Sequence, residues 1–217
     1  MQYKIYRVFI TITTVLLINT QSFTQRINVV TTAVPFLRIS PDARAGGMGN
    51  VSVATAPDAN AIFYNLAKIP FNTTRSSIAL TYTPWLKDVV NDVYMVNMAG
   101  YYKLDGVQAA SAAVRYFNLG SIAFTDFQGY PLGQGRPREL SIDLGYARKL
   151  SDQLSLGITL RYINSSLASG VVNGVSYKPG SAVAGDIASY YSAVDEMGMG
   201  WRFGVVLSNL GSKIAYT

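Results

Sequence analysis

The sequence predicts an all-β fold, a transmembrane antiparallel β-barrel, and three observations carry that expectation: an export-type leader, long strands of alternating polarity and a scarcity of charge. Of 217 residues, 49% are apolar and only 14% charged. A water-soluble domain carries about 25% charged residues, so this surface is expected to face lipid. Mean hydropathy of +0.20, with 15 Tyr and 19 Gly, points the same way. The chain has no Cys and no His, which excludes thiol nucleophiles, disulfides, Ser-His-Asp triads, imidazole bases and the usual zinc sites. No enzymatic activity, cofactor or metal site is expected.

Lys4 and Arg7 precede the apolar run Val8 to Ile18, which has the length of a signal-peptide core and falls short of the roughly 20 residues that cross a bilayer. Residues 1–24 are therefore expected to be a signal peptide cut between Thr24 and Gln25, although the usual Ala-x-Ala is missing; an N-terminal anchor is the alternative. The net charge of +6 contains no basic run longer than Arg136-Pro-Arg138. It suits outer-membrane lipid or a polar lumen and not nucleic acid.

Residues 25–74 break every regular period with Pro35, Pro41, Pro57, Pro70 and the Gly46-Gly47-Met48-Gly49 turn. Compact non-strand structure is expected there, with a short helix near Asp58 to Lys68, capped by Asp58 and ended by Pro70. The stretch from Asn28 to Ile39 is the one spare strand candidate, and Pro35 with Ser40-Pro41 argues against it. Apolar yet irregular backbone cannot face lipid. The segment, with Val34, Pro35, Phe36, Leu37 and Ile39, is expected to sit in the barrel lumen as a plug.

From residue 75 onward the chain alternates. Leu140, Ile142, Leu144 and Tyr146 share one face while Glu139, Ser141, Asp143 and Gly145 share the other. After Ser151-Asp152-Gln153, the run Leu154 to Tyr162 repeats the pattern, so the two make a hairpin. The remaining strands are expected at 75–84, 91–103, 106–117, about 181–193 and 199–209. Tyr82, Trp85, Tyr101, Tyr102, Tyr116, Tyr146, Tyr162, Tyr190, Tyr191 and Trp201 lie near strand ends, as aromatic girdles would. Asp143, Arg148 and Arg161 are expected on polar faces, in luminal salt bridges or lining a pore. A soluble β-sandwich would also alternate, but its outer faces would be richer in Lys and Glu. Seven strands fall short of the even number, eight or more, of a bacterial barrel, so the sheet is expected to be part of a larger one.

No Gly-x-Ser-x-Gly elbow, Walker A loop or Gly-x-Gly-x-x-Gly is present, and Asp195-Glu196 is the one adjacent carboxylate pair. Two long loops are the candidate binding surfaces. Thr125 to Arg138 holds Phe127, Tyr130, Arg136 and Arg138; Ser166 to Gly180 holds Tyr177 and Lys178. Both exceed what a tight turn requires, and long loops of such barrels lie outside the cell. Packing over the barrel mouth is the alternative use of these residues.

The string Ala33-Val-Pro-Phe-Leu-Arg-Ile-Ser-Pro-Asp-Ala-Arg-Ala-Gly-Gly-Met-Gly49, continued by Val53-Ala-Thr-Ala-Pro-Asp-Ala-Asn60, resembles the opening of the PorV family, outer-membrane barrels of the type IX secretion system of Bacteroidota within the FadL-like superfamily. Arg136-Pro-Arg-Glu139, Tyr146-Ala-Arg-Lys-Leu-Ser151, Leu160-Arg-Tyr-Ile163 and Ser208-Asn-Leu-Gly-Ser-Lys-Ile214 follow in order. Asn65-Leu-Ala67 stands where such proteins often read Asn-Pro-Ala. The resemblance implies a FadL-like barrel of 14 strands with an N-terminal luminal plug, of which residues 75–217 supply the first half. It further implies a non-catalytic carrier that takes cargo by its C-terminal domain from the translocon barrel to the attachment complex containing the sortase PorU. The alternative, drawn from the same superfamily, is a transporter of hydrophobic small molecules.

Overall fold

The computed structural model describes residues 34–167, 170–172, 175–195 and 197–214. The expected signal peptide (1–24) and the start of the expected plug (25–33) lie outside the described residues. In chain order the strands are β1 (Ser76–Pro84), β2 (Val93–Lys103), β3 (Gln108–Leu119), β4 (Ile122–Thr125), β5 (Pro131–Gly135), β6 (Arg138–Lys149), β7 (Leu154–Ser166), β8 (Gly170–Val172), β9 (Val175–Tyr177), β10 (Gly180–Val194) and β11 (Gly200–Gly211). Seven of them form one antiparallel sheet in the order β1-β2-β3-β6-β7-β10-β11. These are the seven strands expected from alternation, a partial barrel in which β1 and β11 each have one neighbour.

The two long loops differ from expectation, because each folds back as a small hairpin, β4 with β5 and β8 with β9. In the first, the Asp126 carboxylate accepts the N–H groups of Gln128 at 2.9 Å and Tyr130 at 2.8 Å. Such an Asx turn reverses the chain without help from tertiary contacts. All three connections at the opposite end of the sheet are short, spanning residues 104–107, 150–153 and 195–199.

Residues 34–74 contain no strand, as expected, but not the single helix expected near 58–68. The chain forms 3-10 turns at Pro35–Arg38, Ala59–Phe63 and Leu66–Phe71, and one turn of helix, α1, at Ala43–Gly47. Asp58 caps the second 3-10 turn as expected, accepting the Asn60 N–H at 3.1 Å. Asn65, extended at φ −153°, then interrupts the run and caps the next turn through Ala67 N–H at 3.0 Å. A side chain that caps competes with helix continuation. Pro70 lies inside that last turn and does not end it.

The burial of the sheet is inverted relative to a soluble protein. Ile78 (73% exposed), Leu160 (65%) and Val205 (64%) stand on the open face, while Ser141, Asp143, Ser155 and Arg161 are buried on the other. Residues 34–74 lie over that second face, with Ile62, Leu66 and Ile69 packed against Ala99, Ala113 and Ala147. Phe36 packs against Met95, Phe117 and Ile163. Alternation places every second side chain outward, and the sequence gives those positions to large apolar residues and the inward ones to small or polar residues.

The outward aromatics fall into two bands. Towards the long loops, the Tyr82 and Tyr94 ring centroids lie 5.5 Å apart and those of Tyr94 and Tyr116 6.3 Å. Towards the short turns, Phe203 lies 6.1 Å from both Tyr191 and Trp201. On β2 the bands are marked by Tyr94 and Tyr102, about 26 Å apart along the strand, of the order of the apolar band of an outer-membrane barrel. Tyr101 and Tyr190 are corrections to the expected girdle, because odd and even positions part here: both point inward and are buried, at 5% and 1% exposure.

Candidate functional site

The covered face of the sheet is built by close approach. A Cβ on Gly157 would lie 2.9 Å from Ala67 N, and one on Gly204 would lie 2.4 Å from Val53 O. Both glycines point inward from their strands, and their missing side chains are what let the covering segment touch the sheet backbone, at a 3-10 turn for Gly157 and at irregular chain for Gly204. Polar groups then fix the register of the contact. The Asn65 amide donates to Val53 O and Ser189 O, each at 2.9 Å, and the Ser155 hydroxyl donates to Ala67 O. Lys103 reaches Asn72 O at 2.7 Å. Arg115 donates to Leu37 O at 2.7 Å, and its guanidinium lies 4.7 Å from the Phe63 ring centre. Strand and covering segment are thus joined at both ends of residues 34–74.

Beside Arg115 runs a row of buried charge. Arg161 on β7 donates to Asp143 on β6 at 2.7 Å and to Asp186 on β10 at 3.0 Å. A third bond goes to the Asn209 side chain at 2.6 Å. Asn209 adopts φ 59° where the β10–β11 register shifts, and its N–H donates to Asp186 at 2.7 Å. The bulge therefore turns a backbone donor onto a buried carboxylate. Asp143 and Arg161 form a buried ion pair on the covered face of the sheet. Arg148 does not join them: it lies on the other side of β6, exposed at the strand's end, because an even position takes the opposite face.

Lys68 is fully buried, and its ammonium meets only neutral acceptors, Ser52 O at 2.7 Å and Thr55 Oγ1 at 3.2 Å. Burial away from water pushes its pKa down to about 8, with the Asp58 charge acting in the opposite sense. Tyr64 is pushed above its ordinary value by the same burial.

The residues expected in the plug divide by position. Phe36 is buried; Val34, Leu37 and Ile39 pack around the same cluster, and Pro35 is exposed. In the long loops, Phe127 stands fully exposed at the tip of the β4–β5 hairpin, and Tyr130 is 69% exposed. Arg136, Arg138 and Lys178 are also exposed. For Tyr177 the backbone is described as part of β9 and the side chain lies outside the described residues. Both hairpins leave the same end of the sheet, and β5 approaches β8. Asp195 sits in the short turn at the other end, accepting the N–H groups of Met197 and Met199, which is a turn role.

Sequence reading did not single out Arg115 or Lys68, and it marked Asn65 only as a departure from the family string, not as a cap and bridge to the sheet. The inward parity of Arg115 and Asp186 is a signal carried by the alternation; Lys68 lies in aperiodic chain, where no periodicity marks it.

Residues 21–217 match the family model described as Type IX secretion system protein PorV. A search of curated proteins gave no match.

Proposed function

Because this chain belongs to the PorV family of the type IX secretion system, a family of secretion components and not of enzymes, we propose that it works as an outer-membrane barrel that binds secreted cargo. It takes cargo proteins by their C-terminal domains and carries them from the translocon barrel to the attachment complex with the sortase PorU. The membrane part of this reading is supported by the outward apolar face between two aromatic bands. The order 1–24 leader, 25–74 plug and 75–217 barrel strands follows from the same reading.

The observation that carries cargo binding is the β4–β5 hairpin, whose tip holds Phe127 wholly out of the fold beside Tyr130. Aromatic side chains held on a rigid turn bury much area at low entropic cost when a partner covers them. Arg136 and Arg138 at the hairpin base, and Lys178 on the neighbouring loop, are exposed and add positive charge to the same end of the sheet.

The test is recovery of partners from outer membranes with the affinity-tagged full-length protein, identifying copurified proteins and extracted lipids from one sample. Secreted proteins sharing a C-terminal domain are expected with the parent. Replacing Phe127 and Tyr130 by Ala should lower their recovery about tenfold or more, the loss typical of two hot-spot aromatics. Recovery of a fatty acid or similar apolar ligand with no protein partner would sink the carrier reading in favour of hydrophobic transport.

A further inference from the structure

We propose that the outward face of the sheet holds a site for one anionic phospholipid, with an acyl chain in a bay over β2 and β3 and the phosphate at Arg75. The bay is a consequence of small residues at paired positions. Gly100 faces Ala112 across the β2–β3 ladder, and Ala110 faces Tyr102. Their neighbours Ile78, Met98, Leu144 and Tyr102 project past them, leaving a depression of about 530 Å³ on a face otherwise covered by large side chains. From Tyr102 to Met98 it extends about 13 Å along the strand. On a surface that faces hydrocarbon, a chain-shaped apolar bay takes an acyl chain.

A second cavity adjoins the first and decides the rest of the ligand. It is polar, about 300 Å³, and lined by Thr73, Arg75, Lys103, Leu104 and Asp105. The two meet where the Arg75 guanidinium lies over the Tyr102 ring, 5.1 Å from its centre. Arg75 is exposed and makes no ion pair among the described residues. Lys103 takes an inward position on β2 and gives an N–H to Asn72 O of the covering segment, which leaves Arg75 as the cation over the bay. The one carboxylate here, Asp105, is occupied by the N–H groups of Val107 and Gln108 and by the Gln108 side-chain amide, at 2.8, 2.6 and 2.7 Å. Arg148, opposite Gln108 on β6 and exposed, adds a further positive charge to this rim.

An apolar trough ending at cations with few competing anions is complementary to an amphiphile with a negative head, and the planar guanidinium fork suits a phosphate. The rim lies at the short-turn end of the sheet, which faces the periplasm in such barrels. The ligand is therefore a phospholipid of the inner leaflet.

Native mass spectrometry of the full-length protein in detergent micelles, titrated with dioleoylphosphatidylglycerol or with uncharged dioleoylglycerol, tests this. One phosphatidylglycerol adduct is expected, with dioleoylglycerol bound about tenfold less. Ala112→Leu, which fills the bay at an exposed outward position, and Arg75→Gln, which lies outside the strands, should each lower the adduct about fivefold, as loss of packing or of a charge-assisted contact would. Lys87→Ala, an exposed basic residue in the loop at the other end, should leave it unchanged. Equal binding of both lipids, adducts undiminished in both bay and rim variants, or a protein dimer in place of the adduct would overturn the proposal. Heat-modifiable gel mobility of each variant reports folding separately, and Arg75→Gln keeps the test alive should Ala112→Leu misfold.

Discussion

Arg161 holds Asp143 and Asp186 at once in a place where none of the three meets bulk water. Removing a shared cation leaves two uncompensated buried carboxylates, which costs more than the intact cluster contributes. Arg161→Met is therefore expected to destabilise the fold by about 3–5 kcal/mol, read as a shift of the urea unfolding midpoint in detergent. The double change Asp143→Asn with Asp186→Asn in the Arg161→Met background should recover part of the loss.

Lys68 makes a prediction of the opposite kind, because its burial disfavours the charged form. With a folded pKa of about 8 against an ordinary value near 10.4, the unfolded chain binds more protons between these limits. Stability must then rise as pH increases from about 8 to 10 and stay flat, for this group, below about 7. Over the whole window the gain approaches about 3 kcal/mol as an upper bound. Unfolding midpoints measured across pH 7 to 10 should show the rise in the parent and lose it in Lys68→Met. Tyr64, whose phenol stays protonated beyond its ordinary range, acts in reverse at pH above about 10.

At the scale of elements, the contact between the 3-10 turns and the sheet depends on positions where no side chain fits. Gly157→Val would drive a branched side chain against the Ala67 backbone, and backbone cannot step aside as a flexible side chain can. The turn Leu66–Phe71 should lift from β7 while the seven-stranded ladder survives. Limited proteolysis is expected to cut within residues 34–74 of the variant at least about tenfold faster than in the parent, since proteolysis follows local opening. Unchanged cleavage there would mean that the covering segment is held by its hydrogen bonds alone. Ser155→Ala, which removes only the bond to Ala67 O, should have the smaller effect, about 1 kcal/mol.

Across the whole molecule, the outward face is the feature that separates a lipid environment from an aqueous one. Leu160 lies at the middle of β7, 65% exposed. Leu160→Arg should cost about 2–4 kcal/mol when the protein folds into a bilayer, and Leu156→Arg, nearer the short turns, less. A soluble sheet would tolerate both at its surface with little change. Two open edges, β1 and β11, add a second requirement, because unpaired strand backbone in hydrocarbon is costly until another strand covers it.

The sequence by itself determined the strands and their faces. Alternation at Leu140 to Tyr146 and Leu154 to Tyr162 has a period of two, and that period alone decides which side chains share a face. It also determined that residues 34–74 would contain no strand, through four prolines and a glycine-rich turn. Tertiary structure decided what lies between. The helix expected near 58–68 became two 3-10 turns, because the Asn65 side chain caps Ala67 N–H and holds Val53 O and Ser189 O, the last of which is present only once the sheet has formed. Tyr101 and Tyr190 are girdle expectations that the alternation itself corrects, since 101/102 and 190/191 are neighbours in one strand and must take opposite faces. Arg115 gripping the Leu37 carbonyl spans 78 residues of chain, and no local pattern encodes a contact of that range. Periodicity is a property of neighbours in sequence, whereas closure of a polar face is a property of neighbours in space.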